Sequence, residues 1–280
     1  MEEVMNNFEI YKLKKAGMSN KAIYDVLTYG EKLSLKQIII HTKMKNHNIF
    51  LEKYRNLDIA KEKVLFSKYK SISIFDEAYP EQLRHIYNPP VLLFYKGDIS
   101  LLSAPILSFV GSRKSSDLGT KTTYKLIKEL KNNFVIASGL ARGIDTTSHI
   151  SALKNGGRTI AVIGCGLDSY YPKENKDLQD YIAKNHLLIS EYLPGEQPLR
   201  YHFPERNRIL AGLALGVVVI EAKKRSGSLI TCERAMEEGR DIYSVPGNVL
   251  DGNFAGNNYL IKEGAKLVTE GLDILSEYNL

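Results

Sequence analysis

The sequence predicts a doubly wound, mostly parallel α/β sheet preceded by a small all-helical unit, and three observations carry that expectation. From Pro105 onward, short apolar runs alternate with stretches of helical spacing, the pattern of successive strand–helix units. Runs such as Val217-Val-Val-Ile220 are apolar at every position, which implies burial on both faces, as in a parallel sheet covered by helices. Four of the runs end in small-residue turns: Ser108-Phe-Val-Gly-Ser-Arg-Lys114, Ser138-Gly-Leu-Ala-Arg-Gly-Ile-Asp145, Gly164-Cys-Gly-Leu-Asp168 and Glu221-Ala-Lys-Lys-Arg-Ser-Gly-Ser228. In a parallel sheet these turns share one edge and converge on one crevice.

Residues 1–70 read as short helices. Phe8 to Lys14 begins one, and Gly17-Met-Ser-Asn20 is a break with a cap. Ser19 and Asn20 then lead into Lys21–Leu27, closed by Gly30, as helix start and stop signals require. Residues 71–104 read as a connector over Ile72–Asn88, ended by Pro89 and Pro90, followed by a short leading strand at Val91–Tyr95. In the main domain, 105–280, strands are expected at Ile106–Val110, Phe134–Ala137, Thr159–Ile163, Leu187–Ser190, Val217–Glu221, Ile242–Val245 and Lys266–Thr269. Helices are expected at Gly119–Lys131, Ile144–Lys154, Glu174–Ala183, Glu205–Leu215, Leu229–Glu238 and Asn257–Glu263.

Charge is unevenly placed. Of a net +6, residues 1–70 supply all, with 14 Lys/Arg against 8 Asp/Glu, while the rest balances. No apolar run approaches the roughly 20 residues of a membrane span, and Met1–Ile10 lacks a signal-peptide core. Cys165 and Cys232 have no metal-ligand spacing and fit a reducing cytoplasm. No metal or other cofactor is expected.

Several enzyme signatures are missing. Gly111 and Gly119 are too far apart for a phosphate-binding P-loop, and neither Gly111-Ser-Arg113 nor Gly164-Cys-Gly166 completes a dinucleotide fingerprint. Asp145 and His149 lie one helical turn apart, and Cys232 and Glu233 open another helix. The expectation for both pairs is structural: an acidic residue favoured near a helix N-terminus, and an inertly packed thiol.

The turns nonetheless suit phosphates. Arg113 offers a guanidinium for bidentate contact. Arg142 sits between Gly139 and Gly143, whose backbone can expose several N–H groups. Lys173 and Lys176 lie beside Tyr171, and Phe203-Pro-Glu-Arg206-Asn207-Arg208 opens a helix with two cations and an amide. Cations spread over several loops favour a strand of phosphates, and no base-reading helix is evident. The residues by themselves leave a mononucleotide open as the alternative ligand.

These segments, with Ser226–Thr231, Gly239–Gly247 and Asn257–Gly264, resemble the DNA-processing protein A (DprA, or Smf) family in order and spacing over about residues 70–275. The helical N-terminus is similar to the sterile-alpha-motif-like (SAM-like) domain of many members. The resemblance implies an extended Rossmann-like domain in a cytoplasmic protein that binds and protects incoming single-stranded DNA during natural transformation. It also implies loading of the recombinase RecA and no enzymatic activity. By motif, it assigns DNA contacts to Gly111, Ser112, Arg113, Ser138, Gly139 and Lys173. A homodimer contact falls at Asn258, Ile261 and Leu267, with Leu260 expected on the sheet and Ile261 partly exposed. Many members continue into a winged-helix-like domain; with the sequence ending at Leu280, none is expected in it. The competing expectation is a nucleotide-binding phosphoribohydrolase of the same superfamily, supported locally by Gly227–Glu233.

Overall fold

A computed structural model describes residues 5–30 and 33–279. The extreme ends of the chain, including the first four residues of Met1–Ile10, lie outside the described residues.

Among the described residues, the N-terminal quarter forms five helices: α1 (Asn7–Lys15), α2 (Asn20–Leu27), α3 (Leu35–His41), α4 (His47–Arg55) and α5 (Ile59–Phe66). Polar side chains start them, because the first helical N–H groups have no partner within the helix. Asn6 caps α1, Ser19 caps α2 and Asp58 caps α5, while Ser34 and Gln37 form a reciprocal capping box on α3. Ile10, Tyr11, Leu13, Ile23, Val26, Ile38 and Phe50 form their shared core.

The remainder is built from β1 (Lys70–Ser73), α6 (Glu81–Arg84), β2 (Leu92–Gly97), β3 (Ile106–Val110), α7 (Asp117–Glu129), β4 (Val135–Ser138), α8 (Ile144–Lys154) and β5 (Thr159–Ile163). It continues with α9 (Lys176–Asn185), β6 (Leu187–Ser190), α10 (His202–Leu213), β7 (Gly216–Val219), α11 (Gly227–Glu237), β8 (Asp241–Ser244), α12 (Ala255–Lys262), β9 (Lys266–Leu267) and α13 (Leu272–Leu275). All nine strands join one sheet in the order β1-β2-β6-β5-β4-β3-β7-β8-β9. The pairs from β6 through β9 are parallel; β1–β2 and β2–β6 are antiparallel. This is the extended, doubly wound α/β sheet that the alternation of apolar runs predicts.

Each strand alternates its side chains between the two faces. Leu107, Phe109, Val218 and Ile220 pack with α7, α8 and α13 on one face. Val110, Val217 and Val219 pack with α11 and α12 on the other, where α10 covers Val135, Ala137, Ile160 and Val162. The N-terminal helices dock against Leu92, Phe94, Ala161, Ile163 and Leu188. Asn20 fastens that contact: its Oδ1 accepts the Val91 N–H at 3.0 Å and its Nδ2 donates to the Pro89 carbonyl at 2.6 Å.

One expectation for the chain's organisation is corrected. Residues expected to be a connector enter the sheet, since Lys70–Ser73 pairs with β2 across Lys70↔Tyr95 and Ser73↔Leu92. The segment is short and largely polar, so periodicity could not reveal it. Its outer edge meets side chains in place of another strand: Asn7 Nδ2 donates to the Ser71 carbonyl, and Asp76 Oδ2 accepts the Ser73 N–H.

Candidate nucleic-acid interface

The chain runs β3, β4, β5, β6 in one direction across the sheet and then returns to place β7 on the other side of β3. The order reverses there, so the loops after β3 and β7 flank the point at which open α/β sheets bind ligands. The loops after β4 and β5 lie beside them.

These loops are fastened to one another. Ile144 N–H donates to the Ser112 carbonyl at 3.1 Å. Gly143 occupies φ +73°, and an added Cβ would stand 2.2 Å from the same carbonyl oxygen, so only glycine fits the turn. Ser228 Oγ donates to the Gly111 carbonyl at 2.9 Å. Buried Glu221 accepts the N–H and hydroxyl of Ser116, at 2.9 and 2.8 Å, ahead of α7. Within the first loop, the Ser112 hydroxyl accepts the Lys114 N–H and donates to its carbonyl.

Above this scaffold lies an exposed rim. The Arg113 guanidinium lies 5.4 Å from the Phe203 ring centroid, and Phe203 stands 5.1 Å from Tyr171. Lys173 is exposed two residues beyond Tyr171, and Lys114 is exposed beside Arg113. A cation, two adjoining rings and a second cation therefore follow one another along the edge. Lys176 covers the Tyr170 ring at 5.4 Å, and Tyr170 donates to Asp180. Arg142 bridges from the β4 loop to Glu174 after β5, and that hydrogen bond holds the Glu174 carboxyl below its ordinary range.

The structure turns four expected contacts inward: Arg206, Gly139 and Ser138 are buried, and Arg208 is half-buried. Arg206 is 4% exposed and donates to the Val162 carbonyl. Its guanidinium fills the space above Gly139, where an added Cβ would be 1.9 Å from Nη1. Gly139 is thus needed by an arginine inside the protein. Burial lowers the Arg206 pKa and raises that of Asp145, each partly offset by the other's charge. Ser138 is fully buried, with its hydroxyl on the Phe109 carbonyl. Arg208 reaches both oxygens of Glu191 at 2.7 Å, and Lys14 of α1 approaches the same carboxylate at 3.6 Å. Burial would raise the Glu191 pKa, but Lys14 and Arg208 outweigh it and hold it low. Asn207, half-buried, donates to the Gly227 carbonyl at 3.3 Å. The helix spacing of Phe203–Arg208 reveals its place at the edge but not which side chains turn inward.

Phe203 was missed as a site residue. The available signal was an aromatic at a helix start, as at Tyr171 ahead of α9.

Of the two reactive-residue pairs, Asp145, His149 and Cys232 are buried and Glu233 is exposed. His149 is fully buried, bonded at 2.6 Å to Thr159, and burial with nearby Arg206 and His186 lowers its pKa to about 3. Burial pushes the Cys232 thiol up to about 12 and the Cys165 thiol to about 11. In α12, Leu260 packs on the sheet, whereas Ile261 is half-buried and Tyr259 and Leu267 are exposed. Asn258 is held by the backbone of Gly247, donating at 3.0 Å and accepting at 3.2 Å.

Residues 70–279 match the family model for DNA recombination-mediator protein A, and residues 5–62 match the sterile alpha motif domain of DNA processing protein A. The chain is 56% identical to DNA processing protein DprA of Streptococcus pneumoniae over 98% of its own length and 99% of that protein's. The X-ray structure of that protein superposes with a TM-score of 0.95, covering 99% of each chain. DprA of Bacillus subtilis is 44% identical over 74% of this chain and 70% of its own. A structure of DNA processing protein A from Helicobacter pylori, described for its single-stranded DNA binding mode, is 28% identical, with a TM-score of 0.68 over 75% of this chain and 95% of that one.

Proposed function

Because the chain belongs to the DNA recombination-mediator protein A family, we propose that it is a cytoplasmic single-stranded-DNA-binding mediator that protects incoming DNA and loads RecA during natural transformation. The observation that carries DNA binding is the rim sequence of Arg113, Phe203, Tyr171 and Lys173. Cations spaced along a groove hold consecutive phosphates whatever the bases, and exposed ring faces accept any base by stacking. The related H. pylori protein, described for its single-stranded DNA binding mode, supports the same ligand class.

On this reading the protein acts by binding and has no turnover of its own. It pairs with a second copy through the exposed side of α12 and β9, and no membrane is involved. Among the described residues no helix is long and apolar enough to cross one.

A fluorescence titration of oligothymidine against AMP at several salt concentrations tests the ligand class. Oligonucleotide binding should dominate and weaken with salt by a log–log slope of about −0.7 for each phosphate contact. Preferential AMP binding with little salt dependence would overturn the reading.

A further inference from the structure

The β7–α11 loop carries three consecutive exposed cations, Lys223, Lys224 and Arg225. None of them has an ion-pair partner among the described residues, in contrast to Arg142 on the same edge, which is neutralised by Glu174. Glu221, the nearest acidic residue in sequence, turns inward to Ser116.

Three like charges in succession repel one another, and a mobile loop would spread them. This one is fastened at both ends. Asn257 Oδ1 accepts the Ala222 N–H at 2.7 Å, and the Ala222 carbonyl accepts Gly256 N–H at 2.8 Å. At the far end, Gly227 is held by Asn207 and Ser228 by the Gly111 carbonyl. The last contact joins the loop to the turn that bears Arg113.

Strand order gives the charges a direction. β5, β4, β3 and β7 are consecutive neighbours in the sheet, spaced about 4.8 Å apart. The β5 loop presents Lys173, the β3 loop Arg113 with Lys114, and the β7 loop the triple cation, while Arg142 on the β4 loop is already paired with Glu174.

We propose that Lys223, Lys224 and Arg225 hold the next phosphates of a bound single strand, so that its path crosses the ends of β5, β4 and β3 and continues over the β7–α11 loop. The proposal rests on the single-stranded-DNA reading above and assigns that strand an exit.

The test compares Lys223→Ser/Lys224→Ser/Arg225→Ser with the parent, using oligothymidines of about 6 and about 20 nucleotides. The short probe, filling only the crevice, should bind both proteins alike. For the long probe the variant should lose the added affinity, with its salt slope reduced by about 2, from three contacts of about 0.7 each. Unchanged binding of the long probe overturns the proposal, as does an equal loss for both probes with an unchanged thermal midpoint. Failure of the parent to bind either probe overturns the underlying DNA reading as well.

Discussion

The floor of the crevice and its rim draw on the same residue types. Arg206, Arg208 and Asp145 lie in or beside the floor, while Arg113, Lys114, Lys173 and Lys176 stand on the rim. On the floor, each charged group is held by protein: Arg206 by the Val162 carbonyl and the Asp145 charge, Arg208 by Glu191. On the rim, Arg113 lies over the Phe203 ring and Lys173 is exposed. A cation at the edge of a sheet is therefore free for a ligand only when the fold leaves its charge unanswered.

The comparison breaks most sharply at Arg206. Arg206→Met should lower unfolding free energy by about 3–5 kcal/mol in urea titrations, because it leaves Asp145 buried without its counter-charge. Adding Asp145→Asn should recover part of the loss. A single-variant loss below about 1 kcal/mol would mean that the floor charge is dispensable.

His149, buried behind the sheet, should reveal the interior through pH. Its folded pKa, about 3, lies below the ordinary 6.5, so the folded state binds the proton less readily than the unfolded chain. The resulting stabilisation is complete above pH 6.5 and is lost as pH falls from there toward 3, by at most about 1.4 kcal/mol per pH unit. Unfolding measured from pH 7 to 4 should show this decline in the parent and a shallower one in His149→Gln. Parallel curves would place a charged histidine in the fold.

The legible part of the molecule was its periodic part. Ile106–Val110, Thr159–Ile163 and Leu187–Ser190 are strands at the residues expected, since continuous apolar runs bounded by turns have few other uses. β1 was illegible because Lys70-Ser71-Ile72-Ser73 owes its conformation to pairing with residues some 20 positions later. The turns Gly111–Arg113 and Tyr171–Lys173 follow β3 and β5 at the sheet edge, where the ends of the apolar runs put them. The inward turn of Arg206 and Arg208 depends on Gly139 and Glu191, which no local pattern connects to α10.

A smaller effect sharpens the same contrast. Gly139→Ala should cost about 1–3 kcal/mol, the range for overfilling a packed site, because the new methyl group must displace the Arg206 guanidinium. A thermal midpoint equal to the parent's would show that Arg206 has room to move.

The rim should give the smallest change in stability. Arg113→Ala and Lys173→Ala should each stay within about 0.5 kcal/mol of the parent in unfolding. Each should also reduce the salt slope of oligonucleotide binding by about 0.7. Loss of folding in either variant would move that residue from rim to floor.

The margins of the sheet carry a different consequence. β1 has four residues and a border attended by Asn7 and Asp76, and β9 has two residues. Exposed strand borders are templates for uncontrolled stacking of chains, and brevity with side-chain cover removes the template. Little backbone is left for a neighbouring molecule to zip onto, and what the surface beside β9 exposes instead is the side chains of Tyr259 and Leu267.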